Sequence, residues 1–414
     1  MDTSNRVGLY GSYFFGMAAI GFTLPFLPLY LGQRGMSDIE IGFVSTLAAL
    51  VSLLQFPVGV LSDRSRTQKP FLIVALVVLL VVTIFLNVVD NLFWLGVLVI
   101  FFAENGICRS VIESLSGAAV TALCPPDKVA TELGWLRLWR PTGIVLVALV
   151  GGWWAESHGI ESIIPALVAF QTVAFFLSFL IRGKRHSFDL NSSEPDDRST
   201  PSPTKVRRFL DPTLMAFVAL MILFHVCNAP GGVYLGLFMH REIQASESHL
   251  SYAFVASMVA WMLVVVPIGK LADHWGRRPL LIAGWGVMAA RLGLLSIAHR
   301  PTEIIAIQVL DGISGGIFAV MAATWVTDWL GDHRKAGEAQ VIVGTSLVLG
   351  SAIGPAISGV LVGMVGYRGL FLLLAGVGTL ATLLLALLIP ETLKRKDSRN
   401  NPNAKLPASD TRER

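Results

Sequence analysis

The sequence has little charge. Of its 414 residues only 14% are Asp, Glu, Lys or Arg, against about a quarter in ordinary soluble domains. Cysteine is scarce as well. Cys108, Cys124 and Cys227 fall in or beside apolar stretches, at spacings that fit neither a disulfide framework nor a zinc site. There is no P-loop, no HExxH, no nucleophile elbow and no nucleotide-binding loop, which excludes ATP-driven work by this chain alone and gives no reason to expect an enzyme, a metal or a cofactor. Basic residues interleaved with aromatics are also lacking, so the net charge of +4 and pI near 9.0 do not point to nucleic acid. No small-residue cleavage pattern follows the first apolar run, which starts near Val7, so it reads as a retained helix and not a signal peptide.

What the chain has in excess is apolar sequence, 54% of it, with a mean hydropathy of +0.65. One water-soluble core cannot absorb that much. A bilayer can, because each helix of about 20 apolar residues crosses about 30 Å of hydrocarbon. The expected fold is therefore all-α and integral to a membrane. Apolar runs punctuated by charge, Pro and Gly give about twelve segments, near residues 7–31, 39–62, 70–89, 92–118, 132–156, 161–182, 212–239, 249–271, 279–298, 303–328, 338–364 and 368–390. Short connections make consecutive segments antiparallel neighbours. The exception is a polar stretch rich in Ser, Pro and charge. It divides the chain into a six-helix bundle at 1–182, a linker at 183–211, a second bundle at 212–390 and a tail at 391–414 expected to be disordered.

Lys and Arg are distributed unevenly. Of 32, only Arg34, Arg241, Arg300 and Arg368 fall on the side of the segments opposite the chain ends. Five more (Arg109, Arg137, Arg140, Lys270, Arg291) lie inside or at the rim of segments, and the other 23 share the side of the termini and linker. Positive charge stays inside, so both termini are expected to be cytoplasmic in a multi-pass cell-membrane protein. The short loops suit a bacterial inner membrane.

The two halves repeat. GVLSDRSRTQK from Gly59 follows the second segment, and GKLADHWGRR from Gly269 follows the eighth. A duplicated bundle explains the match and places a solute site between the halves. Missing Cβ atoms at Gly59 and Gly269 would admit a neighbouring helix, and Asp63 and Asp273 would face cations and helix ends. On these residues the chain resembles the major facilitator superfamily, over about residues 7–390. The resemblance implies two six-helix bundles that rock about a central site lined by segments 1, 4, 7 and 10. It also implies a gating role for Gly59, Asp63, Arg64, Gly269, Asp273, Gly276, Arg277 and Arg278. LGWLRLW from Leu133, the glutamates of the fourth segment and LPFLPLY from Leu24 resemble the phenylpropionate/lactose-type proton symporters, in which a glutamate of the fourth helix and an arginine of the fifth contact substrate.

Charges inside the spans are the candidate site. Each costs about 2.5 to 3.5 kcal/mol at mid-membrane, so Glu104, Arg109 and Glu113 in one segment require partners or a wet cavity. Arg109 and Glu113 share a helix face, and Arg137 on the returning fifth segment lies near Glu113 in depth. Glu113 and Arg137 are therefore expected to pair, either as part of a substrate site or as a structural brace. Arg291 and Asp311 lie at equal depth on neighbouring segments and suggest a bracing ion pair, with proton coupling at Asp311 as the alternative. His225 and Asn228 precede Pro230, Gly231 and Gly232, expected to interrupt helical hydrogen bonding near mid-membrane, and His225 is either a proton or substrate contact or a packed histidine. The small residues from Gly350 to Gly363 read as a sliding seam between the halves.

The function expected from these features is secondary transport by a monomer: proton-coupled uptake of a small organic solute, with Arg109 and Arg137 pointing to an acid. The alternatives are proton-antiport efflux of amphipathic compounds and a non-transporting receptor or scaffold.

Overall fold

The computed structural model describes residues 1–65, 67–124, 128–182, 211–331 and 336–393. The linker from 183 to 210, the tail from 394, Arg66 and the side chain of Asp63 lie outside the described residues. Every regular element among the described residues is helical. The first bundle comprises α1 (Thr3–Ala18), α2 (Ile20–Thr23), α3 (Leu27–Gln33), α4 (Asp38–Val51), α5 (Gln55–Arg64), α6 (Lys69–Leu86), α7 (Leu92–Phe102), α8 (Ile107–Leu123), α9 (Val129–His158) and α10 (Ile164–Ser178). The second comprises α11 (Pro212–Arg241), α12 (Glu247–Trp275), α13 (Arg277–Ile297), α14 (Pro301–Leu330) and α15 (Ala336–Leu388).

Among the described residues ten stretches are long and apolar enough to cross a membrane, and eleven if the pair Thr3–Thr23 and Leu27–Gln33, bent by 53°, is one span. The eleven become twelve when α15 is divided at Gly366, whose φ of 71° and ψ of 176° break the helix where the chain must turn back. The segments separated in the sequence at about residue 366 thus meet directly at this kink, with no intervening loop.

Local chemistry sets the helix starts. Ser37 and Glu40 form a reciprocal capping box at α4, the Asn91 side chain accepts from the N–H groups of Phe93 and Trp94, and Asp211 accepts from those of Thr213 and Leu214. Between helices in lipid there is no hydrophobic drive, so close packing and buried hydrogen bonds carry association. In the first bundle Thr83 donates to Gln171 at 3.1 Å and Tyr30 to the Leu86 carbonyl at 2.6 Å. In the second an aromatic cluster of Phe217, Phe224, Trp285, Phe318 and Trp325 fills the centre.

Two expectations about helix continuity fail, in opposite directions. The fourth segment is not one helix: it breaks between Phe102 and Ile107, and Glu104 lies in the break. The Asn105-Gly106 pair, a turn signal, marks the place. The seventh segment is not interrupted at Pro230, because α11 continues for 30 residues through Pro230, Gly231 and Gly232. A proline costs one backbone hydrogen bond, and packing retains the helix around it. A Cβ at Gly231 would come within 2.9 Å of the Arg291 guanidinium, so glycine here admits a charged side chain against the helix.

Candidate functional site

Chain direction gives the bundle two ends: a terminal face, where α1 starts and α15 ends, and an opposite face. On the opposite face the halves are in contact. Arg241 at the end of α11 donates to both Asp38 oxygens at 2.9 and 3.1 Å, Tyr367 donates to the same carboxylate at 3.0 Å, and Tyr234 donates to the backbone carbonyls of Asp38 and Pro355. Gly42 lies against the Pro355 carbonyl and Gly359 against Asp38 and Ile39, where a Cβ would collide. Lower on the same helix pair Thr46 donates to the Ala352 carbonyl. A second seam joins α9 to α12, with Gly152 against Ser251 and Ser248 donating to Glu156.

Past Thr46 and Ala352 the two halves separate. A crevice of about 270 Å³ begins there, lined on one side by residues from Met17, Ala49 and Gln55 to Glu104, Arg109, Glu113 and Arg140, and on the other by Gly344, Leu347, Val348 and Ser351. Toward the terminal face, among the described residues, no neighbouring helix comes within 4 Å of a Cβ built on Gly59, Gly134, Gly269 or Gly344. Among the described residues the halves are closed at the opposite face and apart at the terminal one.

Four ionisable side chains meet in the crevice. Arg140 on α9 reaches Glu104 at 2.9 Å and Glu113 at 3.7 Å, and Glu113 also accepts from the Tyr13 hydroxyl at 2.6 Å. Arg109 is 1% exposed; its Nη1 donates to Thr23 at 3.0 Å and its guanidinium lies 4.8 Å from the Phe102 ring centre. The break at Ala103 lets Glu104 turn toward the same cation as Glu113, which a continuous helix would not allow.

The expected partner of Glu113, Arg137, is not its partner. Arg137 is exposed and makes no ion pair or hydrogen bond among the described residues. The cause is helix length. α8 runs on to Leu123 and α9 starts at Val129, so Glu113 is ten residues from its end of α8, level with Arg140, eleven residues into α9. In the sequence Arg140 stands out only as one of five cations inside or at the rim of segments. Equal depth counted from the true helix ends would have found it.

His225, Asn228 and Asp311 do not line this crevice, and of segments 1, 4, 7 and 10 only the first and fourth do, joined by α4, α5, α9 and α15. Asn228 and Asp311 belong to a second polar cluster inside the other half. Arg291, 2% exposed, lies 2.7 Å from Asp311 and donates to Asn228 at 3.0 Å, while Ser257 donates to Asp311 at 2.6 Å. His225 sits apart, its ring edge-on to Phe224 and Phe318, and its Nε2 has no partner among the described residues. The small residues of α15 divide their work. Gly350 and Gly354 pack on α11 within one half, while Ala352, Pro355 and Gly359 meet the other half.

The repeated motif also departs from expectation. Gly59 and Gly269 receive no neighbouring helix in this conformation. Arg64 and Asp273 are exposed, Asp273 being 3.7 Å from Arg277 one turn on, and Arg277 instead pairs with Asp328 at 2.9 Å. Gly276, at φ 97°, turns the chain into α13, where Glu391 accepts from the N–H groups of Arg277 and Arg278 at 2.9 and 3.0 Å. Partial burial works against the Glu391 charge, yet these backbone donors, with those of Leu393 and Thr392, hold its carboxyl below the usual range. All these partners lie in the second half.

A family model described as "MFS_1 like family" matches residues 7–373. Among similar proteins, an uncharacterized MFS-type transporter of Mycobacterium tuberculosis is 24% identical over 376 residues, 89% of each chain. The multi-drug resistance efflux pump PmrA of Streptococcus pneumoniae is 24% identical over 388 residues, 88% of this chain and 91% of the pump. The multidrug resistance protein MdtG of Salmonella arizonae is 24% identical over 372 residues, 87% of this chain and 89% of that one. Among solved structures, the nucleoside transporter NupG superposes with a TM-score of 0.78 at 12% identity, covering 92% of this chain and 98% of that one. A D-xylose-proton symporter gives 0.67 at 16%, covering 93% and 97%.

Proposed function

This chain belongs to the MFS_1 like family of membrane transporters, and we propose that it moves a small organic solute by rocking residues 1–182 against 212–390, with the crevice as the solute site. The observation that carries this reading is the polar crevice between the halves, closed by Asp38, Arg241 and Tyr367 at one face and open at the other. In the orientation favoured by the Lys and Arg distribution, the open face is cytoplasmic. The linker 183–211 and the tail 391–414 then lie in the cytoplasm.

No nucleotide-binding element supplies energy, so we assign the drive to a proton gradient. Glu104, Glu113 and Asp311 are the carboxylates with arginine partners inside the membrane, and a change in the carboxylate–arginine distance between states changes proton affinity. Gly269, Asp273, Gly276, Arg277 and Arg278, with Gly59, Asp63 and Arg64, would form the cytoplasmic closure in the opposite state.

Uptake coupled to proton entry is the first reading of direction. Export of amphipathic compounds is the second, favoured by the names of the relatives PmrA and MdtG. Proteoliposomes with an imposed pH gradient test both. Solute entering together with protons supports uptake, and solute moving against protons supports export. Absence of flux for organic acids, amines, sugars, nucleosides and cationic dyes alike would overturn transport and leave a receptor or scaffold.

A further inference from the structure

We propose that the crevice takes a small zwitterion, a solute carrying one acidic and one cationic group; the inference rests on the transport reading and names its substrate class. The two kinds of charge in the crevice sit at two poles.

The pole for the acidic group is built by the break in the fourth span. α8 starts inside the membrane at Ile107, and Gly106 before it offers no side-chain cap. The first N–H groups of a helix and its positive dipole end attract an anion when nothing else caps them. Arg109, in that first turn, lines the crevice at 1% exposure. Its Nε and Nη2 have no hydrogen-bond partner among the described residues. A buried guanidinium with two idle nitrogens is costly by itself, and a carboxylate satisfies it.

The other pole has the reverse imbalance. Glu104 and Glu113 share one cation, Arg140, and their side chains are 23% and 35% exposed, so solvent and solute reach them. Two carboxylates with one guanidinium retain a net negative charge, which an ammonium group neutralises. Met17, Phe56, Leu347 and Val348 line the same crevice, are apolar and suit a short methylene chain. A solute with a single charge leaves one pole uncompensated in a low-dielectric site, and a neutral solute leaves both.

Thermal shift of the purified full chain with the ω-amino acids from 4-aminobutanoate to 8-aminooctanoate tests this, with hexylamine and hexanoate as single-charge controls at the same pH and ionic strength. At least one amino acid should bind about tenfold or more tightly than both controls, read from the concentration dependence of the melting temperature. Arg109→Gln should erase its advantage over hexylamine, and Glu113→Gln its advantage over hexanoate. The wild-type series decides the matter even if a variant does not fold. Hexylamine binding as well as every amino acid would show a plain cation site and overturn the inference. Hexanoate doing so would show a plain anion site, and no shift with any of the series would overturn it equally. Flux of any other solute in proteoliposomes would leave transport standing when the zwitterion fails. Zwitterion binding without flux would sink transport and spare the site.

Discussion

Replacing Asp38 by Asn isolates what holds the halves together at the face away from the termini. In the structure this carboxylate accepts from Arg241 at 2.9 and 3.1 Å and from Tyr367 at 3.0 Å, with the Asp38 side chain 19% exposed and that of Arg241 38% exposed. A fully exposed ion pair would contribute about 0 to 1 kcal/mol, whereas a hydrogen bond to a charged group contributes about 1.5 to 3. Asparagine keeps an acceptor and the shape but loses the charge, so the expected loss is about 1.4 kcal/mol, a tenfold shift toward the state open at this face. The readout is the rate at which a membrane-impermeant maleimide modifies Thr46→Cys from this face, in a chain whose Cys108, Cys124 and Cys227 are replaced by alanine. Thr46 lies under the seam, bonded to the Ala352 carbonyl, and reacts only when the halves part. The rate should rise about tenfold with Asp38→Asn. Arg34→Gln should not change it, because Arg34 contacts Asp90 and Glu161 of its own half. A rate for Asp38→Asn within twofold of the parent would refute the claim that this cluster closes the molecule.

The Arg291–Asp311 pair should behave as a buried ion pair: Asp311→Ala, which strands a guanidinium 2% exposed, should destabilise the protein by about 3 to 5 kcal/mol. Adding Arg291→Met should recover much of that loss, and a double-mutant cycle on melting in detergent that shows no coupling would count against the pair. At Glu391 the folded carboxyl titrates below its free value of 4.5. Its contribution is therefore complete above that value and lost as pH falls through the lower folded value. Glu391→Gln should accordingly melt earlier than the parent at pH 7 and match it in strong acid, and a deficit independent of pH would refute the capping role. In flux assays Arg140→Gln should impair transport severely while Arg137→Gln, on the exposed flank of α9, leaves it near the parent rate.

The amino-acid order by itself dictated that this is a helical membrane protein with a two-fold repeat, because hydrocarbon admits only segments that satisfy their own backbone and each crossing needs its apolar length. Helix order and the placement of Glu104, Arg109, Glu113, Arg291 and Asp311 within the spans follow from that one-dimensional constraint. Pairing does not. Arg140 rather than Arg137 meets Glu113 because α8 runs on to Leu123 and α9 starts at Val129. The break before Ile107 brings Glu104 to the same arginine, and α11 stays whole through Pro230 because its neighbours hold it. Which face is closed rests on contacts between residues far apart in the chain, Asp38 with Arg241 and Gly42 with Pro355. Hydropathy has a period along one helix, but an ion pair or a seam depends on the relative depth and rotation of two, and only the packed bundle fixes those.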